Sequence, residues 1–349
     1  MTLSPALRLE ALPAAAHLHA DDRFAGRGIT IAVVDAGFHP HPDLVRPLNR
    51  IRAWVDASTE DMEARYFEPY DVPRWPEMPD SQRGGEWHGL MTSVTAAGNG
   101  YLSDGRYRGL AFESDLVLVQ AGRDNAIAGS AIVRALRWLR QAARALNIRV
   151  VSLSVAGDEE QELEIDDAVE ALTADGVVVV AAAGNDGIRR LLPPATSLDA
   201  ITVGGVDDHN TLQAEAWEVW HSNFGETTAH VPKPEVIAPS LWTVAPLLPG
   251  TETADEARRL LAAVETAADS RVGELQLVSP HYHFVEGTSV AAPLVASVAA
   301  CMLEANRSLT PEQIKRLLVE TATCVRGDVG RQGGGAVNAA AAIAAALQA

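Results

Sequence analysis

The chain alternates short apolar runs with longer segments of helical composition, and this alternation restricts the folds that it can adopt. Residues 31–34 and 177–181 are runs of Ile, Val and Ala, a pattern typical of strands buried on both faces of a parallel sheet. The alternation predicts an α/β fold in three layers, with a mostly parallel central sheet and helices on both faces. Strands are predicted near residues 30–35, 115–120, 149–154, 177–182, 200–205 and 234–237, and helices near 88–97, 130–145, 162–174, 289–304, 311–320 and 337–347.

The composition of the chain limits the kinds of molecule that it can be expected to bind. Its 349 residues are 47% apolar, which is enough to fill the core of one large α/β domain. The formal net charge is −18, so nucleic acids and anionic membranes are poor partners, whereas basic peptides are attracted. The two cysteines, Cys301 and Cys324, indicate neither a disulfide framework nor a zinc site. No feature of the sequence indicates an oligomeric state.

The first residues carry no recognisable targeting signal. Residues 1–28 lack the basic segment and the apolar stretch of about 7–15 residues that a secretory signal needs. No apolar run reaches the roughly 18 residues of a membrane-spanning helix, so no membrane span is expected. We therefore expect residues 1–28 to be an N-terminal lead-in, residues 29–349 to form the main domain, and the protein to be cytoplasmic.

Four polar residues stand at the ends of predicted elements, where side chains can converge on one site. Asp35 closes the first buried strand and Asn185 follows the strand at 177–182, at the strand ends where open α/β sheets bind ligands. His88 and Ser289 begin small-residue helices, where unpaired backbone N–H groups favour a developing negative charge. Each of the four also has a common structural role, in a helix cap, a core or a turn.

The order of these residues along the chain is informative. A serine hydroxyl needs a neighbouring base in order to attack a carbonyl carbon, and His88 together with Asp35 would supply it. The order Asp, His, Ser differs from that of α/β-hydrolases and of chymotrypsin and is the order found in subtilisin. An esterase of the α/β-hydrolase fold is also disfavoured, because no Gly-x-Ser-x-Gly sequence surrounds Ser289.

Further motifs follow in matching order along the chain. They include His-Pro-Asp-Leu at 41–44, Ala-Ala-Gly-Asn at 182–185, Lys-Pro-Glu-Val-Ile-Ala-Pro at 233–239 and Gly-Thr-Ser at 287–289. With these motifs the chain resembles the subtilisin-like serine peptidases of the subtilase family. The resemblance covers about residues 20–349 apart from two insertions, and it implies the three-layer subtilisin-like fold, with residues 29–349 as the peptidase domain.

The resemblance also implies a serine endopeptidase that works through an acyl-enzyme. Ser289 is the expected nucleophile, His88 its general base and Asp35 the partner that orients the imidazole. Asn185 is expected to donate to the oxyanion of the tetrahedral intermediate. The peptide substrate would pair as an extended strand with one segment of the enzyme. That segment consists of Ser152, Leu153, Ser154, Val155, Ala156 and Gly157.

Several residues depart from the pattern of the family. Ala36 stands where a Thr or Ser usually follows the aspartate, so one hydroxyl that supports the carboxylate is absent. Leu90 and Met91 replace a Thr-His pair, and Val290 replaces a Met. None of these is a triad residue, but they leave open a second hypothesis, in which the chain is a peptide-binding module with little or no catalytic activity.

The resemblance implies a pocket for the substrate residue that precedes the scissile bond. Two side chains near this pocket are expected to influence selectivity. Ala156 replaces a Gly and would narrow this pocket, and Asp186 follows the oxyanion asparagine at its rim. We therefore expect some preference for Lys or Arg at this substrate position. The acidic segment at 158–167 is either the negatively charged start of a helix or an acidic rim beside the substrate.

Two segments exceed the family pattern, and both connect directly to elements of the triad. Residues 56–86 are rich in acids, Pro and aromatics, and residues 245–283 include a predicted amphipathic helix at 254–268. Long segments of this kind in a domain are usually functional lids or disordered. We hypothesise that both restrict access to the cleft, which favours selective processing of a peptide, such as leader removal, over broad proteolysis.

No metal ion or other cofactor is predicted to take part in the chemistry. Two His-x-His pairs, at 39–41 and 281–283, lack the carboxylate or cysteine ligands of known zinc sites. Asp43 and the loop at 99–104 are candidates for a calcium site, because carboxylate and carbonyl oxygens bind Ca²⁺ in some relatives.

Overall fold

The strand β1 (Thr30–Asp35) forms the centre of the molecule, and all six of its residues are buried. Side chains of Ile31 and Val33 pack into one core and those of Ala32 and Val34 into a second core on the other face, as the two-residue period of a strand requires. These positions come from a computed structural model, which describes residues 11–123, 126–227, 229–262 and 270–349.

β1 belongs to a nine-stranded sheet with the order β10-β9-β8-β7-β1-β4-β2-β3, in which β13 also pairs with β9. All pairs in this sheet are parallel except β9/β10 and β2/β3. The described strands are β1, β2 (Ile51–Asp56), β3 (Glu63–Tyr66), β4 (Asp115–Gln120), β5 (Gly122–Arg123), β6 (Ala126–Ile127), β7 (Ile148–Leu153), β8 (Val178–Ala182), β9 (Ile201–Asp207), β10 (Glu218–Val219), β11 (Gly225–Glu226), β12 (Pro232–Lys233), β13 (Val236–Pro239), β14 (Thr243–Pro246), β15 (Leu277–Ser279) and β16 (Tyr282–Val285).

Helices cover both faces of the sheet. The described helices are α1 (Ala14–His17), α2 (Pro42–Val45), α3 (Arg83–Ala97), α4 (Gly129–Ala142), α5 (Glu162–Ala174), α6 (Glu252–Ala262), α7 (Ser270–Glu274), α8 (Thr288–Ala305), α9 (Pro311–Thr321) and α10 (Ala339–Ala346). Helices α3, α8, α9 and α10 share the core that contains Ile31, whereas α4 and α5 share the core that contains Ala32. The predicted three-layer α/β fold with a mostly parallel sheet is therefore confirmed.

The predicted strands end within two residues of the observed ones, but the predicted helix at 88–97 begins five residues too late. α3 starts at Arg83, and its first turn contains Gly84 and Gly85, whose low helix propensity hid the start. A capping box stabilises the start of α9, since Thr310 and Gln313 exchange side chain-to-backbone hydrogen bonds of 2.9 and 3.2 Å.

The described residues of the two insertions form strands and helices. The first contributes β3, an exposed strand that pairs antiparallel with β2 at the edge of the sheet. The second contributes α6, α7 and the small antiparallel sheet β14-β16-β15. α6 confirms the start of the helix predicted at 254–268, and the rest of that prediction, beyond residue 262, falls largely outside the described residues.

The N-terminal lead-in packs onto the main body. His17 in α1 is buried and forms an ion pair with the buried Asp208. The neighbouring Leu18 is buried, and its carbonyl oxygen accepts a hydrogen bond of 2.8 Å from the backbone N–H of Ala339. Residues 11–28 therefore contribute to the core instead of extending from it.

One described helix, α8, is long and apolar enough to cross a membrane by length and composition. Of this helix, 83% is buried inside the protein, where it contacts β7, β8 and β9. Its composition is thus accounted for by its place as a core helix.

Candidate active site

Asp35 ends β1 and its carboxylate is completely buried. Its Oδ1 accepts hydrogen bonds of 2.6 Å from His88 Nδ1 and from the backbone N–H of Ala36. Its Oδ2 accepts a hydrogen bond of 2.9 Å from the Thr92 hydroxyl. Both oxygens of this buried carboxylate therefore have donors, which hold the group in one orientation.

His88 lies in the second turn of α3, and its side chain remains 30% exposed. Because Nδ1 is bonded to Asp35, Nε2 is the ring nitrogen that remains for a substrate or a nucleophile. The charge of Asp35 raises the pKa of His88, and burial of the ring opposes this effect without cancelling it. This arrangement favours an imidazole that accepts a proton readily.

Ser289 is the second residue of α8, directly after the helix start at Thr288. α8 packs against α3, and Val290 contacts Met91 in a small apolar cluster that joins the two helices close to Ser289 and His88. The half-buried Ser289 therefore lies at the start of α8, at the junction that also carries His88.

Asn185 follows β8 in an exposed loop, and its side-chain oxygen is fixed by Thr288. Asn185 Oδ1 accepts hydrogen bonds of 2.8 Å from both the backbone N–H and the hydroxyl of Thr288. The Thr288 hydroxyl in turn accepts from the Gly184 N–H at 3.1 Å. The amide oxygen is thus occupied, and the described residues place no acceptor at Nδ2, which stays available to donate.

Gly287 keeps this donor accessible. Its φ of +127° disfavours residues with a Cβ, and a Cβ built here would lie 3.3 Å from Asn185 Nδ2. A side chain at this position would crowd the space in front of the amide, so glycine is required for both conformation and access.

The predicted substrate strand is only partly accessible. Ser152 and Leu153 lie inside β7, buried, and β7 pairs there with both β1 and β8, so neither residue can pair with a substrate. The prediction for these two is corrected on that ground. Beyond the strand, Ser154 donates to the Ser289 carbonyl at 3.1 Å, and Ala156 is exposed.

The residues that follow Ser154 are held in place by neighbouring loops. The Gly157 N–H donates to the Pro193 carbonyl at 2.7 Å, and Val155 is buried. Asp186 is exposed, and its Oδ2 accepts a hydrogen bond of 3.1 Å from Asn223. Residues 154–157 and Asp186 therefore remain the candidates for contact with substrate.

A cavity of about 250 Å³ opens beside Ala36, next to the triad aspartate. One wall is formed by Met78 and Gln82 of the first insertion, and the others by the start of α3 and the hairpin of β5 and β6. The second insertion also lies against α3, where Trp87 donates to the Pro246 carbonyl at 3.1 Å. Of the two insertions, the first thus lines this cavity.

The residues around Asp43 do not fit a calcium site. Asp43 is completely buried, and its Oδ1 accepts from the Leu102 N–H at 3.1 Å while its Oδ2 accepts from the Tyr282 hydroxyl at 2.6 Å. Calcium requires six to eight oxygen ligands, yet the groups that face this carboxylate are N–H and O–H donors. Tyr282 comes from the second insertion, which here satisfies the carboxylate with a protein group.

A group of possible metal ligands lies at the edge of the sheet formed by β10. The sequence analysis did not predict it. Ligand atoms of Asp207, His209 and Glu218 approach within 4.8 Å of one another. The two ring nitrogens of His209 face the two carboxylates, at 3.2 and 3.4 Å, and Arg326 contacts Glu218 at 3.2 Å. Arg326 therefore offsets one of the two negative charges of the group within the protein.

Sequence reasoning missed Thr92 and Thr288, which hold Asp35 and Asn185. Their contacts join residues that are 57 and 103 positions apart, so only the resemblance of the Gly-Thr-Ser segment could have pointed to Thr288. It also treated Met91 and Val290 as separate departures from the family, whereas they pack against each other.

Comparison with known proteins agrees with this geometry. The model of the subtilase family matches residues 26–341. The serine protease AprX of Bacillus subtilis (strain 168) is 32% identical over 327 residues, which cover 90% of this chain and 66% of AprX. Subtilisin BL of Lederbergia lenta is 28% identical over 319 residues, which cover 91% of both proteins.

Solved structures show the same fold. A protease structure from Pseudoalteromonas arctica superposes with a TM-score of 0.67 at 22% identity, over 96% of this chain and 94% of that one. A psychrophilic protease, S41, superposes with a TM-score of 0.61 at 22% identity, over 85% of this chain and 84% of its own.

Proposed function

The chain belongs to the subtilase family of serine proteases, and on that premise we propose that it is an endopeptidase acting through Ser289, His88 and Asp35. The observation that carries the proposal is the 2.6 Å hydrogen bond between His88 Nδ1 and the buried Asp35, at the helix junction that bears Ser289. Since the chain spans about two thirds of AprX, the assignment is made for this chain from its own site.

In this mechanism His88 removes the proton from the Ser289 hydroxyl as Ser289 Oγ attacks the substrate carbonyl. The positive charge that develops on His88 is stabilised by Asp35. The negative charge that develops on the carbonyl oxygen is met by Asn185 Nδ2 and by the Ser289 N–H. His88 then returns the proton to the leaving amine, and water hydrolyses the acyl-enzyme.

A fluorophosphonate probe tests for the activated serine. Wild-type protein is expected to gain one adduct by intact mass, and peptide mapping is expected to place it on Ser289. Ser289→Ala should gain none, while Ser297→Ala, which removes another serine hydroxyl from α8, should still be labelled. No adduct on folded wild-type protein would favour the peptide-binding module instead.

For the substrate, we propose a preference for Lys or Arg before the scissile bond. Three features support it: the net charge of −18, the exposed Asp186 beside Asn185, and the acidic residues that follow Gly157. Among these acids Glu159 is paired with Arg190 at 2.8 Å, so Asp186 is the stronger candidate.

A positional peptide library measures this preference directly. Wild type is expected to cleave most often after Lys or Arg, and Asp186→Asn is expected to reduce that preference about 1.5-fold to fivefold, the range of an exposed charge pair. Glu320→Gln, which removes an exposed negative charge from α9, is the control for a general change of charge. Cleavage only after apolar residues in the wild type would contradict the proposal.

We further propose selective processing of a peptide in the cytoplasm. The cavity beside Ala36 supports selectivity, because residues of the first insertion form one of its walls. The two free cysteines, Cys301 and Cys324, suit a reducing compartment. Recovery of the protein outside cells, or equal cleavage of unrelated folded proteins and short peptides, would argue against this assignment.

A further inference from the structure

The hydroxyl of Thr92 lies at the triad although no triad motif contains this residue. Thr92 stands four residues after His88 on α3, so both side chains project from the same face of the helix. Thr92 is completely buried, and its Oγ1 lies 2.9 Å from Asp35 Oδ2. No other described donor reaches that oxygen.

The proton of Thr92 has two possible acceptors, since Oγ1 also lies 3.2 Å from the Gly89 carbonyl oxygen. A hydroxyl has one proton to donate. Asp35 is closer and charged, and charged acceptors form the stronger bonds. The Gly89 carbonyl is already served by the Ser93 hydroxyl at 2.7 Å. The contacts therefore direct the Thr92 proton to Asp35.

Residue 36 cannot provide this bond. The backbone N–H of Ala36 donates to Asp35 Oδ1, which places residue 36 against the carboxylate, but its side chain is a methyl group. Without Thr92, one oxygen of a buried carboxylate would lose the donor that the described residues give it, and that arrangement is costly and leaves the group free to turn.

We propose that Thr92 is a positioning residue of the catalytic triad, whose hydroxyl supplies from the helix of His88 the hydrogen bond to Asp35 that Ala36 cannot supply. It holds Asp35 Oδ1 toward His88. The inference rests on the proposed peptidase function, because it concerns the rate at which Ser289 is activated.

Thr92→Val, which keeps the shape and removes the hydroxyl, is expected to lower kcat about 10- to 100-fold, the range for loss of a hydrogen bond to a charged group. KM should stay unchanged, because the substrate does not touch Thr92. Thr95→Val is the matched control: Thr95 lies on the same helix, and its buried hydroxyl has no hydrogen-bond partner among the described residues.

Two rescue variants separate positioning from a structural effect. Thr92→Ser should retain most of the wild-type kcat. In the double variant Ala36→Ser/Thr92→Val, kcat should be at least tenfold higher than in Thr92→Val. The reason is that the substitution at position 36 returns a hydroxyl to Asp35 from a different element. Thr92→Ala replaces Thr92→Val in these comparisons where the latter does not fold, as judged by its melting temperature.

The outcomes separate this inference from the proposed function. Wild-type protein without a fluorophosphonate adduct would remove the function itself. An active wild type with an equal kcat loss in Thr92→Val and Thr95→Val, or a double variant no faster than Thr92→Val, would overturn the role of Thr92 alone.

Discussion

Replacing Asp35 by Asn is expected to lower kcat about 10⁴-fold while KM changes little. Asn is nearly isosteric, but its amide group can present an N–H to His88 Nδ1, where the carboxylate accepts a hydrogen bond of 2.6 Å. The ring is then held as the wrong tautomer, with the proton on Nε2, and cannot accept the proton of Ser289. Steady-state kinetics on a chromogenic peptide measures the loss.

The same variant is expected to shift the pH dependence of the remaining activity. His88 is a base only when neutral, so the rate falls as the pH drops through the pKa of His88. Asp35 raises that pKa, and its removal lowers it. The acid limb of kcat/KM should therefore move to lower pH in Asp35→Asn.

Asp43→Asn is a matched control, because Asp43 is also a completely buried carboxylate but hydrogen bonds to Tyr282 instead of His88. It should lower stability without moving the acid limb. A loss of less than about tenfold in Asp35→Asn, or an acid limb that stays in place, would contradict the role assigned to Asp35.

The parts of the fold that could be predicted are the elements whose own residues carry a strong local pattern. β1 and β8 are apolar runs that only a buried strand accommodates, and their positions place Asp35 and Asn185 correctly. β3 was missed because its four residues are mostly exposed and two are charged, so it is defined by pairing with β2 and not by its own pattern.

The site residues that stand at the ends of helices and strands could be predicted from the sequence. Residues whose role depends on contacts with distant side chains could not. The triad and Asn185 follow from element ends and chain order. Met91 and Val290, in contrast, differ from the family individually but fill one apolar cluster together. Such compensation depends on contacts between distant segments, which a single sequence does not record.

The hydroxyl that supports Asp35 likewise comes from a distant part of the chain. Ala36 was predicted to leave the carboxylate without a supporting hydroxyl, yet Thr92 donates to it from α3. Ala36 and Met91, two of the departures that left the non-catalytic hypothesis open, are thus offset by Thr92 and Val290, which favours an intact catalytic apparatus.

Asn185→Ala is expected to lower kcat about 10²- to 10³-fold, with a small change in KM, because it removes one donor to the oxyanion of the tetrahedral intermediate. The substrate carbonyl needs this donor less than the oxyanion does, so the loss falls on the transition state. Single-turnover and steady-state kinetics with an amide substrate measure it.

Asn185→Asp tests whether the donor itself is responsible. Asp keeps the size of the side chain and still accepts from the N–H and hydroxyl of Thr288, so the loop should stay in place. It offers no N–H at the position of Nδ2 and adds a negative charge beside the oxyanion, and so it should be at least as slow as Asn185→Ala. Because His88 and Asp35 are untouched, Ser289 should still react with a fluorophosphonate in both variants, although more slowly. An Asn185→Asp variant with nearly wild-type kcat would show that the amide holds Thr288 and the start of α8 but does not stabilise the oxyanion.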